Sequence, residues 1–315
     1  MVPNRRRFAP AWALGLGIAA AGCSEASTRP DPEGEVLRLG RVHIVLEPSE
    51  DRDAAEDVVE ANEAQLDVTA RFAFVRGLDE DFVRARVFMP VLAHEQVPVS
   101  ECVVSDQLVA DAVEPVSPEL ADMRELVLVD AGDLTVRIGD TDVDVPLALV
   151  PDLLPYISGV EYLQEAEMVP VAADATPSVT IQAGGSQTDD LPAFVAEGRV
   201  PAALGLTASE SDLAEQLEGA LVMRWREGHA EGPISIRVQA LLGGEPLGEE
   251  ITCVIADRGE ARIDIARLHT LGLPAQGDAL RLTASRVVVT GFDAGEFTGS
   301  ELVVERRDRL YVPLR

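Results

Sequence analysis

Alternating apolar and polar positions recur along most of the chain and predict β-strands. In the segment LDVTARFAF (66–74), apolar side chains occupy every second position, which is the period of a half-buried strand. Gly139–Thr141 separates two such runs and predicts a hairpin. Similar patterns predict strands at 35–46, 83–87, 101–104, 125–129, 134–138, 143–145, 168–173, 178–183, 221–225, 234–242, 250–256, 261–265, 279–290 and 302–314, and a proline-bearing edge segment at 191–201.

Few segments predict a helix. The segment DIARLHTLG (264–272) reads as a small capped helix closed by Gly272 and Pro274. An acidic stretch at 48–64 is compatible with a short helix or with a loop. A polar stretch at 208–219, in which Ser209 or Ser211 could cap a helical turn, separates two long series of strands. We therefore expect an all-β chain with two tandem antiparallel β-sandwiches of immunoglobulin-like type, at 35–207 and 208–315.

The first 23 residues, MVPNRRRFAPAWALGLGIAAAGC, have the pattern of an export signal. Arg5, Arg6 and Arg7 precede an uncharged run at 8–21, and small residues follow it. The run is shorter than the roughly 20 apolar residues that span a bilayer, so it predicts a signal peptide at 1–22. The polar segment that follows, at 23–34, predicts a tether between the membrane and the folded part.

The ending Ala20-Ala21-Gly22-Cys23 resembles a bacterial lipobox, although Ala20 stands where that motif usually has leucine. The resemblance implies cleavage between Gly22 and Cys23, acylation of Cys23 and a lipid bilayer as partner. Ser24 after the cysteine resembles the signal for sorting to the outer membrane. The alternative is an ordinary signal peptide that is cut near Gly22 and leaves a free thiol.

The net charge of the chain limits which nucleic acids and membrane surfaces could bind it. The chain has 55 acidic and 26 basic residues, for a net charge of −29, and every basic residue is arginine. Phosphate groups repel such a molecule, so we expect no nucleic-acid partner and no attraction to anionic headgroups. The arginine bias fits GC-rich codon usage, and the acidity also fits adaptation to salt; composition does not separate the two.

Four segments carry a resemblance to a family: DAGDLTVRIG, VTIQAGGSQTDDLPAF, ALVMRWREG and ITCVIADRGEARIDIARLHTL. In this order they resemble β-rich lipoproteins of uncharacterised function from GC-rich Gram-negative bacteria. The similarity spans roughly residues 125–290. It implies an envelope location and a β-fold, and it assigns no catalytic residue.

Candidate chemistry is sparse, and we expect neither an enzyme nor a cofactor. The histidines, at positions 43, 94, 229 and 269, show no metal-ligand spacing. Asp140, Asp142 and Asp144 begin like a calcium loop but lack its later glycine and glutamate, so the exposed face of a strand is the favoured interpretation. Exposed aromatics for glycan stacking are limited to Tyr156, Tyr162 and Tyr311.

Cys102 and Cys253 are the two cysteines beyond Cys23. An oxidising compartment would allow a disulfide between them. Each lies in an apolar strand pattern, and each falls in a different predicted domain, so we expect two free, buried thiols. The function predicted from sequence is a lipid-anchored envelope protein with a non-enzymatic structural or interaction role and an unknown protein or glycan partner. The alternative is a module that binds a glycan or calcium.

Overall fold

The structure, a computed structural model, describes residues 36–48, 63–78, 80–88, 92–110, 125–150, 157–172, 175–208, 219–228 and 232–314. Most of these residues lie in sixteen described strands. In chain order, β1 to β16 are Val36–Pro48, Ala64–Arg76, Glu101–Val104, Glu125–Leu128, Leu134–Ile138, Thr141–Val145, Leu147–Leu149, Ile157–Val169, Ser178–Ala183, Phe194–Arg199, Ala220–Arg224, Ile234–Leu242, Glu245–Ile255, Glu260–Asp264, Ala279–Ala294 and Phe297–Pro313. The described helices are short: α1 to α4 are Glu80–Arg86, Ala93–Gln96, Gln107–Ala110 and Ile265–Thr270.

Ten of these strands form one sheet in the order β3-β13-β12-β15-β16-β1-β2-β4-β8-β7. Its centre joins the first and last described strands of the chain, because β1 runs parallel to β16 with Val42 beside Leu302 and Leu46 beside Arg306. β1 also pairs antiparallel with β2 along its whole length. The pairing of β1 with β16 therefore links residues that are far apart in sequence.

One face of the ten-stranded sheet carries the two large groups of buried apolar side chains. Val42, Ile44 and Val304 belong to the first, which is completed by the four-stranded sheet β10-β9-β5-β6. Ile236 and Ala284 belong to the second, which is completed by β11, β14 and α4. On this face the molecule is a sandwich of sheet against sheet.

The chain between β2 and β4 covers part of the opposite face. Val83, Val87 and Phe88 pack there against buried apolar residues of β1, β2 and β4. The polar side chains beside this cluster bond to the same segment: Arg41 Nη1 donates to the carbonyl of Phe88 (3.3 Å), and Arg71 Nη1 donates to that of Val87 (2.5 Å). Both faces of the sheet centre are therefore covered by protein.

The all-β prediction is confirmed, and several elements lie where alternation placed them. The hairpin of β5 and β6 turns at Gly139, whose φ of 57° favours glycine. Asp264 caps α4 by accepting a hydrogen bond from the backbone of Ala266 at 2.8 Å.

The strand predicted at 83–87 is wrong, because α1 occupies this segment. A spacing of four residues fits the two-residue period of a strand and also the 3.6-residue period of a helix. Val83 and Val87 therefore share a face in either element. The structure buries both of them, and Arg84 pairs with Glu80 one helical turn earlier (2.8 Å between Nη2 and Oε1).

The division into two tandem sandwiches at residue 207 is not confirmed. Most residues of the first apolar cluster precede residue 207 in the sequence, and most residues of the second follow it. However, the ten-stranded sheet takes strands from both predicted domains, and one compact unit contains them all. β1 pairs with β16, and β3 pairs with β13. Each of these pairings joins a strand of the first predicted domain to a strand of the second.

The expectation of free thiols is also wrong, because Cys102 and Cys253 form a disulfide. That expectation assumed two separate cores. Instead β3 adds to the edge of the large sheet beside β13, and the two cysteines lie directly opposite each other with Cα atoms 4.0 Å apart. Cross-strand neighbours are close enough for a bridge without movement of the backbone.

Several sequence predictions lie outside the described residues: the signal peptide, Gly22, Cys23, the tether, the acidic stretch up to residue 62, Tyr156 and His229. Among the helices that the structure does describe, none has the length and apolar character needed to cross a membrane.

Reduction of the disulfide should destabilise the fold. The bridge closes a loop with a sequence separation of 151 residues, and the chain-entropy account gives it about 5 kcal/mol of unfolding free energy. We expect urea unfolding of the wild type to shift to lower denaturant on reduction, and the Cys102→Ala/Cys253→Ala variant to show no such shift. Labelling of both thiols in denatured, unreduced protein would contradict the bridge.

Candidate functional site

The centre of the large sheet carries polar and charged side chains on the face opposite the two cores. Strand alternation sets this arrangement: Ile236 and Ala284 point to the core, and their neighbours Arg237 and Ser285 point the other way. The registers of β1, β12, β13, β15 and β16 bring ten such residues together. We call this set the polar face: His43, Glu47, Ser235, Arg237, Glu250, Thr252, Ser285, Glu305, Arg307 and Arg309.

Ion pairs between β1 and β16 fill one half of the polar face. Arg307 Nε donates to Glu305 Oε1 at 2.6 Å, and His43 Nε2 lies 3.1 Å from Glu305 Oε2. Glu47 accepts hydrogen bonds from Arg307 and from Arg309. His43, Glu47 and Glu305 are each less than a tenth exposed, so this is a desolvated network.

Burial and pairing act on the pKa of Glu305 in opposite directions. Burial favours the neutral acid and would raise the pKa, whereas the hydrogen bond from His43 and the guanidinium of Arg307 favour the carboxylate. Pairing prevails and holds the pKa of Glu305 well below its ordinary value. Glu305 is therefore ionised in the folded protein and is a weak proton acceptor.

The other half of the polar face is open to a cavity of about 180 Å³. Its floor is the sheet, with Arg237, Glu250, Glu305 and Arg307 as the charged groups, and its wall includes His94 of α2 and Leu108 of α3. A water takes up about 30 Å³ in the liquid, so the space fits several waters or one small molecule.

Arg237 is the least satisfied charge in this cavity. The one carboxylate that the described residues place beside its guanidinium is Glu250, whose Oε1 lies 4.0 Å from Nη1, too far for a hydrogen bond. Burial lowers the pKa of Arg237, and the positive charge of Arg307 lowers it further. An arginine remains charged even so, which leaves a guanidinium with donors to spare.

The segment that covers the cavity is attached to the sheet. The hydroxyl groups of Ser105 and Thr252 form a hydrogen bond with each other (2.8 Å). The backbone N–H of Ser105 also donates to the carbonyl of Glu250 (2.8 Å). The disulfide between Cys102 and Cys253 adds a covalent link between β3, which ends one residue before Ser105, and β13. The wall of the cavity is therefore fixed to its floor.

The aspartates predicted as weak calcium candidates lie elsewhere, on the exposed hairpin of β5 and β6. Arg137 Nε donates to Asp142 at 2.6 Å and lowers the pKa of that carboxyl, and Thr135 donates to Asp144 at 3.1 Å. Asp140 lies in the turn between the strands. Among the described residues, no group of three or more acidic, histidine or cysteine side chains is placed to hold a metal ion.

The tyrosines do not assemble a stacking platform within the described chain. Tyr162 is buried, its hydroxyl lies 2.5 Å from Asp130 Oδ1, and it accepts from the backbone of Ala131 at 2.8 Å. Burial raises the pKa of Tyr162, and the bond to Asp130 raises it further. Tyr311 is exposed on β16, which leaves it as the one described candidate.

The described histidines have three different settings. His43 belongs to the buried network and His94 lines the cavity. His269 Nδ1 lies 2.7 Å from the carbonyl of Leu273, where it supports the end of α4.

The sequence pattern did not predict the polar face, although β16 contained a signal. The segment Glu305-Arg306-Arg307-Asp308-Arg309 is a run of five consecutive charged residues inside a predicted strand. Its acid and bases at 305, 307 and 309 share one face, which predicts charge pairing but not the strand that pairs with it.

Comparison of the sequence with known protein families and with curated proteins gives no match. Inference of a function therefore depends on the chain's own sequence patterns, its fold and the polar face.

Neutralising Glu305 should destabilise the protein strongly. In Glu305→Gln, Arg307 loses one of its two buried carboxylates, and we expect a loss of about 3 kcal/mol in unfolding free energy by urea titration. Glu260→Gln is the matched control, because Glu260 is paired with Arg224 at 3.2 Å on the surface and should change stability by less than about 1 kcal/mol. Equal effects of the two substitutions would contradict the buried network.

The lowered pKa of Glu305 also predicts a pH dependence. A carboxyl whose pKa is lower in the folded than in the unfolded state stabilises the fold above its ordinary value of 4.5, and this stabilisation is lost as the pH falls through the folded-state pKa. We expect the stability difference between wild type and Glu305→Gln to be constant near neutral pH and to shrink below pH 4.5. A difference that grows on acidification would have the wrong sign.

Proposed function

We propose that this protein is a lipid-anchored protein of the bacterial cell envelope, sorted to the outer membrane, with a non-enzymatic structural or interaction role. The observation that carries the proposal is the N-terminal pattern: three arginines, an uncharged run at 8–21 and Ala20-Ala21-Gly22-Cys23. Its length and flanks are those of an export signal, and its ending resembles a lipobox.

The disulfide supports the exported location. Disulfides persist in oxidising compartments such as the periplasm and are rare in the cytosol. Cys102 and Cys253 are paired inside the fold, across neighbouring strands. A protein that matures outside the cytosol can form this bridge.

A non-enzymatic role is supported by the state of the buried acid Glu305. A general base works best with a pKa near the working pH. Glu305 has a pKa far below that range because His43 and Arg307 hold its carboxylate. Its carboxylate is suited to holding β1 against β16 rather than to accepting a proton.

A ligand-binding role is the second candidate, and the cavity beside Arg237 favours it. The calcium and glycan forms of this candidate have less support. The carboxylate of Asp142 is paired with Arg137, and the hydroxyl of Tyr162 is bonded inside the core.

The anchor is tested with the Cys23→Ser substitution in the full chain. We expect wild type to fractionate with membranes and to yield an acylated N-terminal peptide by mass spectrometry, because two or more acyl chains hold a protein firmly to a bilayer. Cys23→Ser should lose the acylated peptide and be either uncleaved or released as a soluble form.

Ser24→Ala is the control, because it leaves the acylated residue in place and should keep the protein on the membrane. The anchor proposal fails if Cys23→Ser is processed normally and remains as firmly bound to membranes as the wild type.

A further inference from the structure

We propose that the cavity beside Arg237 binds a small zwitterion, with the chemistry of a free α-amino acid. The carboxylate of the ligand would bind Arg237, and its ammonium group would bind Glu250. This proposal does not depend on the lipid anchor, because it rests on the cavity alone.

Two opposite charges at the cavity lie within ion-pair distance of each other but are too far apart for a hydrogen bond. Arg237 Nη1 and Glu250 Oε1 are 4.0 Å from each other, and both side chains are only partly exposed. The nearby pairs on the same sheet are in hydrogen-bond contact, as in Arg307 Nε to Glu305 Oε1 at 2.6 Å. The guanidinium of Arg237 therefore keeps donors that no described carboxylate binds, and the carboxylate of a ligand in the cavity would accept charge-assisted hydrogen bonds from them.

The charged groups that line the cavity determine the sign and number of charges on a ligand that binds there. Arg237 attracts an anion, but Glu250 and Glu305 also line the space and repel a dianion such as phosphate. Arg307 does not offer a second open cation, since Glu305 and Glu47 already bind it. One negative and one positive group on the ligand match the two charges that remain open.

The rest of the cavity wall is polar on one side and apolar on the other. The hydroxyls of Ser235, Ser285 and Thr252 line the sheet side, and Leu92 and Leu108 line the covering side. Hydroxyls supply further hydrogen bonds to a carboxylate, and the two leucines accommodate a small apolar side chain. The volume of about 180 Å³ limits the ligand to small members of the class.

The covering segment makes the site preformed. Ser105 bonds to Thr252 and to the backbone of Glu250, and the disulfide joins the strands that carry them. A wall that is already fixed loses little entropy when a ligand binds.

Isothermal titration of the full chain, purified in detergent, tests the proposal with glycine, L-alanine, L-serine, L-lactate and inorganic phosphate as probes. We expect saturable binding of at least one amino acid. Arg237→Leu should weaken it by at least about tenfold, because it removes the charge-assisted hydrogen bonds to the carboxylate. Arg137→Leu, which removes an exposed arginine from the four-stranded sheet, should leave it unchanged.

Glu250→Gln separates the zwitterion from a simple anion. It should weaken binding of the amino acid and should not weaken binding of L-lactate, which carries no ammonium group. If Arg237→Leu fails to fold by circular dichroism, Arg237→Lys replaces it, because lysine keeps the charge but loses the two-pronged contact and should also weaken binding.

Three results would overturn the proposal. The first is an absence of saturable binding of any amino acid probe up to about 50 mM, far above millimolar dissociation constants. The second is equal binding by the wild type and the Arg237 variant. The third is binding of phosphate, dependent on Arg237, in place of the amino acids.

Discussion

The ion pairs between β1 and β16 are the interaction on which the rest of this structure depends. Glu47 of β1 binds Arg307 and Arg309 of β16, and His43 of β1 contacts Glu305 of β16. These two strands are the first and the last that the structure describes, and their parallel pairing lies in the middle of the ten-stranded sheet. The strands on either side belong to one continuous sheet because β1 and β16 are paired with each other.

Charges at such a junction have a cost that apolar residues would not have. Desolvation of a carboxylate and a guanidinium can exceed their mutual attraction, and a buried pair by itself is weak evidence for stability. Here the pairs share partners, so that Arg307 satisfies two carboxylates and Glu305 two donors. The same row of charges continues into β12 and β13, where Arg237 and Glu250 remain apart beside a cavity. The polar face can therefore join β1 to β16 in one half and border a binding site beside β12 and β13 in the other.

Local patterns in the sequence predicted much of the strand content but little of the assembly. The alternation in β2 and the turn at Gly139 each depend on neighbouring residues, and they lie where the pattern placed them. The run from Val83 to Val87 was ambiguous because a spacing of four fits a strand and a helix alike. The pairing of β1 with β16, with Arg41 beside Glu301, joins residues 260 apart, and no local period encodes it.

The candidate site was missed for the same reason. Glu305 and Arg307 belong to a run of five consecutive charged residues in β16, and charge runs are typical of solvent-exposed surfaces. Their burial comes from the segment between β2 and β4, which lies over the sheet and places β3 beside β13. That placement also explains the disulfide, since Cys102 and Cys253 belong to segments that only the tertiary fold brings together.

A double-mutant cycle between Glu47 and Arg307 tests the central claim most directly. The single variants Glu47→Gln and Arg307→Met and the double variant are compared with the wild type by urea unfolding at neutral pH. The account predicts that the double variant loses less stability than the sum of the single variants, with a coupling of about 1–3 kcal/mol, because each single change leaves a buried charge without its partner. Additive losses, with a coupling near zero, would show that the two residues do not interact and would contradict the junction described here.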